Sequence, residues 1–285
     1  MKLCRFALRD GSVHAGISLT DATVLDLAAY GHPSMFELLE EVDPLRALES
    51  LAANTGVAYR LTEVTLLPPV EKQEVWAAGV TYLRSRTART EESNHDASAY
   101  DRVYEAPRPE LFFKSLPEKV VGTGGHIGIR KDSTWTVPEP ELALVINSKG
   151  TIVGCTIGND VSARDIEGEN LLYLPQAKMF DASCALGPWI IPGWSEEFIR
   201  QQTIRMSITR GKATAFSGET SLNNLKRPFE NLVEHLFANQ TFPHGVILLT
   251  GTGLVPPDDF SLQPEDRIQI EVTKLGTLEN TAKAL

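Results

Sequence analysis

The chain has 285 residues, 42% hydrophobic and 22% charged, enough apolar material for one large domain or a small domain joined to a larger one. A net charge of -10 and a pI near 5.2 argue against nucleic acid and anionic membrane as partners. Three scattered cysteines without a C-x-x-C pair, no hydrophobic signal core and no apolar run of bilayer length predict reduced thiols in a cytoplasmic protein.

Residues 1–70 read as a small N-terminal α/β domain. Leu3 to Leu8 and Val24 to Leu27 are short strands, with Asp10-Gly11 as a turn after the first. Ser34 to Glu37 forms a capping box opening a short helix, and Asp43-Pro44 caps a second helix, Leu45 to Ala52, closed by Gly56. Leu67-Pro68-Pro69-Val70 is a stiff connector and the boundary, leaving 71–285 as the catalytic domain. Nothing before it clusters catalytic residue types.

Glu74 to Ala78 is a strand, and the polar stretch Leu83 to Ala106 after it reads either as a lid over a site or as a solvated helix. Glu110 to Lys114 is a short strand with a charge at each end. Gly122 to Gly125 lacks the G-x-G-x-x-G spacing of a dinucleotide loop, and the six histidines show no zinc-ligand spacing.

The densest chemistry lies at Val137-Pro-Glu-Pro-Glu141-Leu-Ala-Leu-Val-Ile146. Residues two apart on a strand share a face, so Glu139 and Glu141 project together, with Leu142, Leu144 and Ile146 on one side and Ala143 and Val145 on the other. A turn at Ser148-Lys149 returns the chain through Thr151 to Gly158. If Asn147 pairs with Gly150, Glu141 faces Thr156, Glu139 faces Gly158, and Asp160 joins both glutamates on one face. A one-residue slip would put it on the other face. Three carboxylates without a Cys or His ligand suit a hard cation, Mg²⁺ first, then Mn²⁺ or Ca²⁺. The plain alternative is that both glutamates are solvated residues of an edge strand.

Lys178 lies among apolar residues, where a lysine tends to carry a task or a partner, unless it is a surface lysine with a buried stem. Further strands are Trp189 to Ile191, Ile204 to Thr209, Val246 to Leu249 and Arg267 to Thr273, and Pro228 opens an amphipathic helix. Thr250-Gly-Thr252-Gly253 is a glycine-lined turn suited to meeting a ligand. The whole is an α+β, β-rich chain.

Six motifs in order resemble the fumarylacetoacetate hydrolase superfamily: Gly79-x-x-Tyr82, Glu110-Leu-Phe-Phe-Lys114, Glu139-x-Glu141-Leu142, Asp160 with Ala163-Arg164-Asp165, Lys178 before Phe180, and Thr250-Gly-Thr252-Gly253. The resemblance covers most of 75–285. It implies a mixed β-roll with a small N-terminal domain, a homodimer or homotetramer, a metal site at Glu139, Glu141 and Asp160, an active-site lysine at Lys178, and substrate contact at Thr252. Hydrolases of the family carry a histidine after Gly-x-x-Tyr, where this chain has Ser85, which weakens a hydrolytic reading. The surrounding wording resembles the branch that dehydrates 2-keto-3-deoxy-D-arabinonate. Together with the carboxylate trio, that branch leads to the expectation of a 2-oxo acid substrate losing water, with Lys178 adding positive charge at the enolate or moving the C3 proton, Glu110 handling the departing hydroxyl and Arg84 or Arg86 on the carboxylate. The rivals are an acylpyruvate or diketo-acid hydrolase using the same metal, a decarboxylase or isomerase, and a non-catalytic relative.

Overall fold

Leu142, Leu144 and Ile146 do enter one hydrophobic core, and Ala143 and Val145 the other, so the strand Pro140–Ile146 is buried on both faces. The computed structural model describes residues 1–20, 22–32, 34–53, 56–82 and 97–285, with side chains from 101 onward in the last stretch. Arg84, Ser85, Arg86 and the first part of the expected lid lie outside the described residues.

Among the described residues the largest sheet is 12-stranded. Its main path runs Ala58–Arg60, Thr23–Asp26, Val13–Ser18, Lys2–Ala7, Cys184–Pro192, Ile152–Asp160, Pro140–Ile146, Val246–Leu249, Glu74–Gly79 and Glu110–Ser115. The early strands thus join the later ones, through Leu3 opposite Ile190. One face of the sheet packs against a 5-stranded sheet through Ile204, Met206, Ile208, Ile268, Ile270 and Val272. The other face is covered by the helices Met35–Leu39 and Pro44–Ala52, which contribute Met35, Phe36, Leu38, Leu39 and Leu48.

Local chemistry explains these early helices. Ser34 Oγ accepts from Glu37 N, Asp43 Oδ1 accepts from Arg46 N, and Pro44 fills the first turn. Glu71, just past the connector, reaches back to accept from Met35 N and Ser34 Oγ. No helix among the described residues is long and apolar enough to cross a membrane.

The central hairpin corrects the expected register. Gly150 belongs to the turn, at φ 77°, and Asn147 N–H bonds to Thr151 instead, so the turn has one residue more than Ser148-Lys149. A bulge then leaves Val153 unpaired between Ile146↔Ile152 and Val145↔Gly154. Each irregularity alone moves Asp160 to the far face. Together they return it, and Glu141 faces Gly158 instead of Thr156. Glu139 thereby comes directly opposite Asp160, whose N–H bonds to the Glu139 carbonyl at 2.9 Å.

Other expected strands extend. The one read as Trp189 to Ile191 runs Cys184–Pro192 straight through Pro188, where the pairing with Ile152–Asp160 shifts and no ladder donor is needed. Three strands that sequence patterning did not mark, His126–Ile129, Ala213–Ser221 and Gly276–Ala284, complete the smaller sheet.

Candidate active site

The strand Pro140–Ile146 and its return Ile152–Asp160 set three carboxylates in one dry place. Ligand atoms of Glu139, Glu141 and Asp160 lie within 4.8 Å of one another, and each residue is 1% exposed. Burial first, then the charges of Asp160 and Glu139, push the Glu141 carboxyl well above the usual range, against Lys178 and the Gly251 N–H. An all-oxygen donor set that its own repulsion disfavours fits a hard divalent cation.

Cations already stand around the trio. Lys178 ends the helix Leu174–Lys178 and is fully buried. Its Nζ donates to Glu139 Oε2 at 2.8 Å, Asp160 Oδ2 at 3.0 Å and Ser162 Oγ at 2.6 Å, which uses all three donors. The surface-lysine alternative is excluded. Lys114 is 1% exposed and lies 2.5 Å from Asp160 Oδ1, while also donating to the carbonyls of Val161 and Lys178. Arg164, 3% exposed, donates from Nε to Glu139 Oε1 at 3.0 Å and stands 3.8 Å from Glu167 Oε2. Sequence patterning assigns a role to neither Lys114 nor Arg164. Asp165 locks the start of the Arg164 helix: its carboxylate accepts from Ser133 Oγ and from Thr134 N and Oγ1. Among the described residues, four carboxyl groups and three cations form one contact network.

The turn Thr250 to Gly253 closes another side. Gly251 sits at φ 92°, and a Cβ there would lie 2.0 Å from Thr81 Oγ1, so only glycine fits. Its N–H donates to Glu141 Oε2 at 2.6 Å. Thr252 is 5% exposed, and its hydroxyl, with one proton to donate, lies 2.9 Å from the carbonyl oxygen of Pro140, between the two glutamates, and 3.0 Å from that of Leu254. That bonding ties the turn to the strand that carries Glu141.

Glu110 occupies the edge strand Glu110–Ser115, opposite Gly79, where a Cβ would fall 2.0 Å from its Oε2. It faces a cavity of about 410 Å³ lined also by Glu167, Val103, Ala106, Leu171 and Leu174, with exposed Arg108 at its edge. Part of this wall comes from the end of the helix Ala97–Glu105 and the residues after it. Arg227 secures that end by donating to the carbonyls of Val103, Ala106 and Pro107. Glu167 is the carboxylate that sequence reading passed over, although it shares a helix with Arg164. The three cysteines are buried, with thiols pushed up to about 12 by burial, which removes them as nucleophiles.

Residues 75–283 match the model of the fumarylacetoacetate (FAA) hydrolase C-terminal family. The chain is 45% identical over 213 residues to a probable 2-keto-3-deoxyxylonate dehydratase of Haloferax volcanii, covering 75% of this chain and 73% of the relative. It is 38% identical over 259 residues to the 2-dehydro-3-deoxy-D-arabinonate dehydratase of Saccharolobus solfataricus, covering 85% and 87%. A solved structure of 2-keto-3-deoxy-D-arabinonate dehydratase complexed with magnesium and 2,5-dioxopentanoate superposes with a TM-score of 0.81 at 34% identity, over 100% of this chain and 99% of the other.

Proposed function

The chain belongs to the fumarylacetoacetate hydrolase family, and we propose that within it this protein dehydrates a 2-keto-3-deoxypentonate to 2,5-dioxopentanoate with Mg²⁺. The observation that carries the reading is the buried trio Glu139, Glu141 and Asp160 with Lys178 bonded between two of its members. The same three residues would hold the Mg²⁺. When bound, the cation supplies an electrophile toward the 2-oxo acid end of the substrate, which makes the C3 protons acidic and stabilises the enolate.

The chain's own residues do the rest. Lys178, with its donors fixed on Glu139, Asp160 and Ser162, contributes preorganised positive charge beside the enolate. Glu110 takes the C3 proton and delivers it to the departing C4 hydroxyl, so that water leaves as the C3=C4 double bond forms. A proton then moves from C5 to C3, and the C4=C5 enol takes one on C4 to become the aldehyde. Thr252 holds the turn that faces the substrate, and Arg84 or Arg86 binds its carboxylate. We assign catalysis to residues 71–285 and a structural role to 1–70, in a cytoplasmic homodimer or homotetramer serving carbohydrate catabolism.

The deciding experiment incubates the purified protein with 2-keto-3-deoxy-D-arabinonate and Mg²⁺ and follows products by NMR and mass spectrometry. Metal-dependent loss of one water to 2,5-dioxopentanoate is expected. Cleavage of acylpyruvate into two carbon fragments, with no dehydration, would overturn the assignment.

A further inference from the structure

Glu141 differs from the other two members of the trio in what holds it. Glu139 meets Arg164 and Lys178, and Asp160 meets Lys114 and Lys178. Among the described residues no lysine or arginine pairs with Glu141, whose carboxylate accepts from the Gly251 N–H at 2.6 Å. That N–H shares a peptide plane with the Thr250 carbonyl, and in a trans peptide the two point in opposite directions. The carbonyl accepts from Thr81 Oγ1 at 2.7 Å, where Thr81 is 1% exposed and Thr250 is fully buried. One peptide thus runs from the Thr81 hydroxyl on one side to the Glu141 carboxylate on the other.

Glycine does not hold such a plane by itself. Gly251, at φ 92°, can take either sign of φ, and a turned-over plane would aim the Thr250 carbonyl at Glu141, acceptor against acceptor. Thr81 reaches the plane because the strand Glu74–Gly79 runs parallel to Val246–Leu249, with Ala77 beside Leu249, so the residues after both strands meet. Its own carbonyl accepts from Lys226 N at 2.9 Å. Val80 before it sits at φ 52°, a left-handed backbone that a β-branched residue adopts only where its surroundings dictate it.

We propose that Thr81 is a positioning residue of the carboxylate trio: its hydroxyl latches the Thr250–Gly251 peptide, whose N–H holds the Glu141 carboxylate in place beside Glu139 and Asp160. The proposal rests on the Mg²⁺ reading above and deepens it by naming what orients the one carboxylate without a cationic partner. A hydrogen bond on the carbonyl also polarises the peptide and strengthens its N–H as a donor. Neighbours that orient a metal-binding group in this way change metal affinity by roughly 10- to 100-fold when removed.

The test is calorimetry of Mg²⁺ on the full chain, unaltered and with Thr81→Val or Thr81→Ser. Thr81→Val keeps the shape without the hydroxyl and is expected to weaken Mg²⁺ binding by about tenfold or more. Thr81→Ser keeps the hydroxyl and should stay within about threefold of the unaltered protein. Glycine-selective ¹⁵N labelling follows the latch itself. The Gly251 N–H should exchange slowly with solvent in the unaltered protein and in Thr81→Ser, and about tenfold faster or more in Thr81→Val. Affinity unchanged in Thr81→Val, or lowered equally in Thr81→Ser, would overturn the proposal and leave the Mg²⁺ reading standing. If circular dichroism shows Thr81→Val unfolded, the other measurements decide. Fast exchange at Gly251 in the unaltered protein, or Thr81→Ser weakened about tenfold, would then overturn it. No Mg²⁺ binding by the unaltered protein would remove the Mg²⁺ reading and this proposal with it.

Discussion

Two of the acid–base sets that cross strands among the described residues differ in where they lie, one outside and one inside. On the outer sheet Arg205 meets Glu219 at 2.9 Å on one neighbouring strand and Glu271 at 3.6 Å on the other, with all three side chains 50% to 63% exposed. Inside, Glu139 and Asp160 also face one another across strands, but they and their partners Lys178 and Lys114 are at most 2% exposed. The geometry is similar and the physics is not. Water and salt screen the outer set, which contributes roughly 0–1 kcal/mol per pair. The inner set has lost that screening, so each charge depends on its partners, and removing one costs several kcal/mol. A fold has little to gain from carboxylates placed there, and a cation-dependent reaction has much.

The largest test of that contrast is Glu139→Gln. It should remove Mg²⁺ binding in calorimetry and lower dehydration on the order of a thousandfold together. An unchanged Mg²⁺ affinity would detach the inner set from the metal. Next in size is Lys114→Met, which keeps the volume and strands part of the charge on Asp160. Denaturant unfolding should show a loss of about 3–5 kcal/mol, and a loss below about 1 kcal/mol would make the inner set energetically like the outer one.

Smaller still is a pH effect at Glu141. Burial and the neighbouring carboxylates raise its carboxyl in the folded state above the unfolded value. The folded chain therefore holds that proton more tightly, a contribution fully present below the unfolded value and lost as pH climbs through the folded one. In chelator, the midpoint temperature of the unaltered protein should fall relative to Glu141→Gln as pH rises above the ordinary carboxylate range. Mg²⁺ should cancel the fall, and parallel curves in chelator would contradict it. The smallest effect belongs to Arg205→Ala, below about 1 kcal/mol and fading in high salt. A larger, salt-resistant loss would mean the outer set is also shielded.

The parts of this site that were legible in the sequence are those set by local alternation. Glu139 and Glu141 share a face because they are two apart, and the apolar residues after them divide between two cores as their order requires. Register was less legible, because it depends on a turn length and a bulge, and Val153 looks like any other strand residue. Lys114 and Arg164 were visible as motif members but not as neighbours of the trio, since what joins them to it is burial against Asp160 and Glu139. Strand alternation gave no signal for Lys114, because a bulge between Phe113 and Ser115 interrupts it there. The strands Ala213–Ser221 and Gly276–Ala284 escaped for the opposite reason. They are rich in small and polar residues, and the first is largely exposed, so no apolar period announces it.

The hairpin that carries the trio also limits how this stretch of chain can change length. Its extra turn residue and its unpaired Val153 cancel, so the arrangement survives only while their number stays even. Deleting Gly150 or Val153 alone would carry the Asp160 carboxylate to the opposite side of the sheet, and deleting both would bring it back. Single-codon insertions between Val145 and Gly154 would barely alter composition or hydrophobicity, yet they would separate the three carboxylates. Here the reading frame of the strand matters as much as the residues written in it.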